Sequence, residues 1–354
     1  MKVTAIGLDL AKDVFQLHGV DSDGRVVLKK QLKRAQLASF FANLAPCLVG
    51  MEACAGAHHW ARKLRAMGHD ARLIAPQFVK PYVKSQKNDA ADAQAICEAL
   101  LRPSMRFVAL KSVDQQSVLA LHTSRSGFVK ARTALVNQVR GLLAEFGVVL
   151  PKRLAAFHAG VPQLVQDLDN ELTAVMRQLL SNLYQQVCHL DELIAKLELQ
   201  IRQWASCDES AKRLQQIPGI GPITASALVA SLGDVQQFDN GRQVSAWLGL
   251  VPRQHSSGGK NVLLGITKRG DSYLRTLLIH GARSVMQAAQ RRKEGPPAWL
   301  SALLGRKHPN IVAVALANRN ARIAWALLAH KRQYTASYES PNPLALTVPA
   351  VSSH

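Results

Sequence analysis

Four carboxylates in the N-terminal third of the chain have the chemistry to act as one group. Asp9 closes the apolar run Val3-Thr4-Ala5-Ile6-Gly7-Leu8-Asp9, and Glu52 closes Cys47-Leu48-Val49-Gly50-Met51-Glu52. Asp89 and Asp92 open a helical segment that Asn88 is placed to cap. Side chains three apart share a helix face, and acids that end strands arrive together at a sheet edge. Four such charges repel one another unless divalent cations neutralise them, and Mg²⁺ prefers carboxylate oxygens. Each acid also has an ordinary reading. Asp89 and Asp92 suit the positive end of a helix dipole, and Asp9 and Glu52 suit turns. The combination carries more than its parts. Asp13, past the turn, and Glu98, nearly two helical turns beyond Asp92, fall outside it.

The rest of the composition names the partner such a centre would serve. In 354 residues, 44 Lys and Arg face 24 Asp and Glu, a formal charge of +20. That excess calls for a polyanion, nucleic acid before an anionic membrane. The cations are spread along the chain (Lys29, Lys80, Arg125, Lys130, Arg140, Lys268, Arg291), which suits a long phosphate track better than a single basic tail. Metal-assisted chemistry on phosphodiesters follows from the two features together. A hydrophobic fraction of 48% excludes a disordered chain. Five widely spaced cysteines argue against a zinc site or a disulfide framework and read as small buried hydrophobes in a reducing compartment. The apolar stretch Ile311–Leu328 is broken by Asn318, Arg319, Asn320 and Arg322, which excludes a membrane span. With no signal-peptide pattern, the expectation is the bacterial cytoplasm, at the nucleoid, and no membrane partner.

The elements that must position the acids read as follows. Strands are expected over residues 2–9, 14–20 and from 25, with hairpin chemistry at Asp21-Ser22-Asp23-Gly24. A helix over 35–44, the strand ending at Glu52, a helix over 58–67, a strand at 71–74 and the acidic helix follow. This is a mixed α/β layer, and ribonuclease-H-like nucleases share its order of elements. Residues 112–147 read as a basic helix, with a short break between Pro151 and Pro162. Residues 163–205 then read as one amphipathic helix with Leu164, Leu168, Leu172, Val175, Leu179, Leu183, Val187, Leu190, Ile194, Leu197, Ile201 and Trp204 on its stripe and Glu192–Lys196 as a supporting pair. The stripe suits an intramolecular hairpin with the preceding helix as well as a coiled-coil dimer. The domain expectation is therefore 1–110 for the carboxylate domain, 111–207 for a helical arm, 208–333 for a mainly helical C-terminal domain and 334–354 for a disordered tail.

Within the C-terminal part, Ile217-Pro218-Gly219-Ile220-Gly221 is a turn between helices. It reads equally as a helix-hairpin-helix element, with Gly219 and Gly221 exposing backbone N–H groups to phosphate, and as a plain αα-turn. A long polar loop over 252–270 carries Ser256 and Ser257 among Arg253, His255, Lys260, Lys268 and Arg269. A serine hydroxyl needs a base, a metal or a cationic neighbour to attack phosphorus, and none of these residues makes a triad by spacing.

Asp9-Leu10-Ala11-Lys12, Met51-Glu52-Ala53, Asn88-Asp89-Ala90-Ala91-Asp92-Ala93, Ile217-Pro218-Gly219-Ile220-Gly221 and Leu250-Val251-Pro252-Arg253, taken in order, resemble the DEDD transposases of the insertion-sequence one-ten type, in their eleven-eleven subgroup. The resemblance spans about residues 1–330. It implies a RuvC-like N-terminal domain, a coiled-coil arm, a C-terminal domain with an essential serine, and recombination guided by a structured RNA from the element that pairs with donor and target DNA. Carried over by position, Asp9, Glu52, Asp89 and Asp92 are the implied Mg²⁺ (or Mn²⁺) ligands. Ser257, five residues after Pro252 and followed by Gly258, is the implied nucleophile, and Ser256 is its rival. The resemblance implies covalent phosphoserine chemistry and a dimer or tetramer joined through the arm. A RuvC-like nuclease or junction resolvase using water, and a non-catalytic nucleic-acid scaffold, are the competing readings.

Overall fold

A computed structural model of the chain describes residues 2–83, 88–257, 260, 262–291 and 295–335. The chain forms two compact units, residues 1–116 with 231–237, and residues 117–230 with 238–354. The predicted disordered tail falls, from residue 336 on, outside the described residues.

In the first unit β1 (Ala5–Leu10), β2 (Val14–Val20) and β3 (Val26–Lys33) form an antiparallel meander. The β2–β3 turn is closed by Asp21, whose carboxylate accepts the N–H groups of Asp23 and Arg25. After α1 (Arg34–Ala42), β4 (Leu48–Glu52) lies parallel to β1, and after α2 (Ala57–Ala66), β5 (Asp70–Ile74) lies parallel to β4. Then come α3 (Pro76–Val79), α4 (Asp89–Leu100) and β6 (Phe107–Val108), which pairs antiparallel with β5. The sheet order is β3-β2-β1-β4-β5-β6, a mixed sheet as expected. The two residues of β6 are too few to leave a periodic signal in sequence.

Alternation along the strands decides which helix covers which face. Ile6, Leu8, Val49 and Met51 point to one side, where Leu37 and Phe41 of α1 and Trp60, Ala61 and Leu64 of α2 bury them. Ala5 and its neighbours at the alternate positions meet Ala95, Ile96, Ala99 and Leu100 of α4 on the other. Here the strands carry glycine. A Cβ on Gly7 would lie 2.1 Å from the carbonyl oxygen of Ala93 and 2.5 Å from the backbone nitrogen of Cys97, so α4 rests directly on β1. A Cβ on Gly50 would lie 2.9 Å from the side chain of Leu100.

The second unit is helical apart from one hairpin. It holds most of α5 (Val113–Ala144), then α6 (Leu154–Gln166), α7 (Ala174–Cys207), α8 (Glu209–Gln215), α9 (Pro222–Leu232, its end in the first unit), α10 (Gly241–Trp247), β7 (Pro252–Gln254), β8 (Leu263–Ile266), α11 (Ser272–Gln290), α12 (Ala298–Leu304) and α13 (Pro309–Ala329). Two expectations fail here. Pro162 sits inside α6 rather than closing a break, and residues 163–205 are not one helix, because α6 ends at Gln166 and α7 starts at Ala174. Thr173 caps α7, its hydroxyl accepting the N–H of Met176. Asn170 also turns the chain before it, accepting the N–H of Leu172.

The buried face of α7 is accordingly Met176, Leu180, Val187, Ile194 and Ile201, while the predicted stripe members Leu168, Val175 and Leu179 are exposed. The packing partners lie within the chain: Val136, Val139 and Leu143 of α5, and Phe157 and Val161 of α6. Arg125 pairs with Glu198 at 2.6 Å and Arg132 with Asp191 at 2.5 Å, a seven-residue advance on α5 matched by a seven-residue retreat on α7. The two helices are therefore antiparallel. Among the described residues the expected Glu192–Lys196 pair does not form, and Asp191 and Glu198 take its place. Of the five cysteines, all free, Cys47 and Cys97 are buried, but Cys207 is exposed and departs from expectation.

A buried polar chain ties α5 to α9 and α11. His122 is 2% exposed, with Nε2 3.0 Å from the Ser226 hydroxyl and Nδ1 3.0 Å from the Tyr273 hydroxyl. Ser226 donates its proton to the Pro222 carbonyl, so it accepts from His122 Nε2–H, which leaves Nδ1 to accept from Tyr273. Burial first, and Arg125 second, lower the His122 pKa to about 4. A histidine held neutral contributes stability that is complete above its unfolded pKa near 6.5 and is lost as the pH falls toward 4. Urea unfolding of wild type is expected to lose about 3 kcal/mol from this group over that range. His122→Gln is expected to be less stable at pH 7 but to lack that component of the acid sensitivity.

Candidate active site

Parallel pairing brings the ends of β1 and β4 to the same sheet edge. Leu8 pairs with Met51, so Asp9 and Glu52 follow it side by side. Both fall at the alternate positions that carry Gly7 and Gly50, hence on the α4 face. On that face α4 begins. Asn88 accepts the N–H of Ala91 at 2.7 Å, which fixes the first turn and sets Asp89 and Asp92 beside β1. Carboxylate oxygens of Asp9, Asp89 and Asp92 all lie within 4.8 Å of one another. Glu52 is outside that set but close enough for its charge to act on Asp9.

The pKa of Asp9 is raised to about 6, by burial first, then by the charges of Asp92, Asp89 and Glu52. Protonation relieves this repulsion, and so would a divalent cation. The donor set, oxygen only and partly buried, fits a hard ion such as Mg²⁺ or Mn²⁺. Cys54 stands nearby, its thiol pKa raised by burial and then by Glu52 and Asp9, and a soft thiol suits a hard cation less well than these carboxylates do.

The other predicted residues lie in the second unit. The stretch expected to be a long polar loop is instead a hairpin, β7 paired with β8, with Ser257 and Lys260 bridged near its tip. Gly258 and Gly259 fall outside the described residues. Arg253, Ser256, Ser257, Lys260, Lys268 and Arg269 are all exposed. Ser256 accepts a hydrogen bond from the Gln254 side chain at 3.1 Å, whereas among the described residues the Ser257 hydroxyl has no partner.

Residues that sequence reasoning passed over hold the base of this hairpin. Gly249 and Gly270 have φ of +71° and +81°, and a Cβ on either would strike backbone, at 2.1 Å from the oxygen of Arg269 and 1.9 Å from that of Trp247. Arg275 donates to the carbonyls of Leu248 and Arg269, and Asn318 to that of Leu250. The glycines that flank the hairpin, Gly249 before β7 and Gly270 after β8, were the available signal.

The turn after α8 divides its two glycines. Gly219, at φ +89°, packs backbone to backbone on Gly281 of α11, and Asn320 donates to the Pro218 carbonyl at 2.9 Å. Gly219 is thus a packing glycine. Gly221 is exposed, with open space where a Cβ would stand, so its backbone is accessible to a ligand.

Two substitutions test how the carboxylates are held. Gly7→Val has no room under α4 and is expected to cost on the order of 2 kcal/mol or more in chemical unfolding and to weaken Mn²⁺ binding, read by titration calorimetry. Asp9→Asn removes one like charge. A raised carboxylate pKa means that the folded protein binds a proton more tightly than the unfolded chain, so the charge destabilises the fold as pH rises from 4 through 6. In EDTA, Asp9→Asn is expected to melt higher than wild type above pH 6 and to lose that advantage below pH 4.

Two family models match the chain. One described as a DEDD transposase covers residues 6–148, and the one described as "Transposase IS116/IS110/IS902 family" covers residues 211–295. A Pseudomonas aeruginosa protein named "Probable family 20 transposase" is 55% identical over 94% of this chain and 99% of its own length. The transposase for insertion sequence element IS1111A of Coxiella burnetii is 48% identical over 94% of this chain and 91% of its own. That for element IS1328 of Yersinia enterocolitica is 45% identical, over 92% and 96% respectively. With both halves matched and such relatives aligned almost end to end, the chain belongs to the IS110 family of DEDD insertion-sequence transposases.

Proposed function

We propose that this protein cuts and exchanges DNA strands through a phosphoserine intermediate, with Asp9, Glu52, Asp89 and Asp92 as a Mg²⁺ or Mn²⁺ site on a RuvC-like sheet. The observation that carries the reading is the convergence of Asp9, Asp89 and Asp92 within 4.8 Å at the sheet edge where Glu52 also ends. When bound, the cation supplies charge to the phosphoryl oxygens and lowers the barrier to displacement at phosphorus. The carboxylates fix where that charge sits, and α4 keeps them from spreading.

Ser257 is the nucleophile in this reading. Its Oγ forms a bond to phosphorus as the bond from phosphorus to a DNA oxygen breaks. The hydroxyl proton leaves Ser257, and the departing DNA oxygen takes up a proton. Attack by the hydroxyl of a second strand on the phosphoserine reverses these changes and restores Ser257. The number of phosphodiesters is conserved, so no external energy source is needed. Ser257 is preferred to Ser256 because the Ser256 hydroxyl is bound to Gln254. Arg253, Lys260, Lys268 and Arg269, exposed on the same hairpin, offer positive charge to the strand, and the exposed turn at Gly221 offers backbone N–H groups.

Donor and target DNA and a structured guide RNA are the partners proposed, in keeping with the charge of +20. Homo-oligomers would form through the arm, where Val175, Leu179 and Leu199 remain exposed after α5, α6 and α7 have packed together. Purified protein incubated with element RNA and end-labelled donor DNA is expected to yield a protease-sensitive DNA adduct. Ser257→Ala should abolish it, and Asp9→Asn should reduce its rate by about a hundredfold or more. Strand cleavage that persists in Ser257→Ala would instead assign the chemistry to a water-using nuclease.

A further inference from the structure

A concave feature of the second unit lies between α10, α12, α13 and the segment that follows α13. It is a cavity of about 930 Å³, at the upper end of sites that hold a small organic molecule. Four guanidinium groups line it, from Arg242, Arg319, Arg322 and Arg332, and no carboxylate does so among the described residues. None of the four forms an ion pair among the described residues. Aromatic rings stand among them: Trp299, Trp325 and Tyr334.

The cavity is built rather than incidental. The inner face of α13 (Val312, Leu316, Ala317, Asn320 and Ala324) is buried, which commits Arg319, Arg322 and Trp325 to its other side. A Cβ on Gly241 would lie 2.9 Å from the Cα and carbonyl oxygen of Arg322, so α10 abuts α13 to form one wall. The Arg319 guanidinium lies 4.4 Å from the ring centre of Trp299, an arrangement that holds both planar groups ready for stacking.

We infer that this cavity binds an unpaired nucleotide segment, its phosphates held by Arg242, Arg322 and Arg332 and a base stacked against Trp299 and Arg319. Unopposed guanidinium groups demand an anion with several oxygens. The rings demand a flat apolar face beside it, and a nucleotide supplies both. Duplex DNA hides its base faces in the stack, so the cavity selects single strands. The inference rests on the nucleic-acid reading proposed above and adds a site that shares no residue with the four carboxylates or Ser257. The single strand has two possible sources, RNA and unwound DNA, which share this chemistry.

Fluorescence anisotropy with labelled oligouridylate, oligothymidylate and a blunt duplex, each about twelve nucleotides long, tests it on the full-length protein. Arg319→Gln combined with Arg322→Gln is expected to weaken single-strand binding about tenfold, change duplex binding less than about twofold, and lower the salt slope by about 0.7 per lost phosphate contact. Both residues are exposed, so the melting temperature should hold. Trp299→Ala should weaken single-strand binding and Trp299→Phe restore it. Tighter binding of oligouridylate supports the site with RNA as its source, and tighter binding of oligothymidylate supports it with DNA. Unchanged single-strand binding in the double variant, or an equal loss on duplex, would overturn the inference. Anisotropy reads binding alone and requires no cleavage. Failure of the adduct experiment therefore leaves this result standing, and the reverse also holds.

Discussion

The close approach of α4 to β1 is the constraint on which the carboxylate centre depends. Two like charges separated by about 5 Å repel by on the order of 3 kcal/mol at the effective dielectric of a protein surface. Asp9, Asp89 and Asp92 must be forced together against that repulsion, and the force is hydrophobic. Ala95, Ile96, Ala99 and Leu100 bury themselves on the sheet, and the bare backbone at Gly7 lets the helix come down far enough. Burial first, and this repulsion second, raise the pKa of Asp9. A centre built this way is poised to take up positive charge.

The second unit uses the same device for a different purpose. Gly219 against Gly281, and Gly249 and Gly270 against their neighbours' carbonyls, bring backbone onto backbone where any side chain would intervene. These contacts fix the turn after α8 and the base of the β7–β8 hairpin. The hairpin beyond them is solvent-exposed, with Val262, Leu263 and Leu264 uncovered beside the cations. The long antiparallel helices of the arm are joined to the same unit by His122, whose two ring nitrogens engage two different helices.

Helix α13 shows how one sequence pattern serves two ends. By length and hydropathy (21 residues, mean hydropathy 1.3) it passes the test for a membrane span. Its apolar residues instead pack against α8, α10, α11 and α12, and its buried Asn320 binds the Pro218 carbonyl. The polar residues that interrupt it, Arg319 and Arg322, are confined to the opposite face and line the arginine-rich cavity.

Much of this was legible in the residues themselves. Alternation and turn chemistry located β1 to β5, and the capping pattern at Asn88 placed the acidic helix, because these signals are local. The order of motifs identified the family. What failed was non-local or too short. The break between α6 and α7 was masked by leucines that continued a helical period, and the side chains that end the first helix, Asn170 and Arg177, reach back across six or seven residues, a spacing that no helical repeat reveals. The two-residue β6 and the exposed β7–β8 hairpin owe their pairing to neighbours distant in sequence or to a turn without strong periodicity. The chain's own chemistry thus determined which acids, cations and serines were available and which local elements carry them. Tertiary structure decided that three of the acids meet within 4.8 Å, that Gly219 packs against Gly281, and that four arginines surround one hollow. Side-chain identity sets what a group can do, but only the packing of distant segments sets what it stands beside.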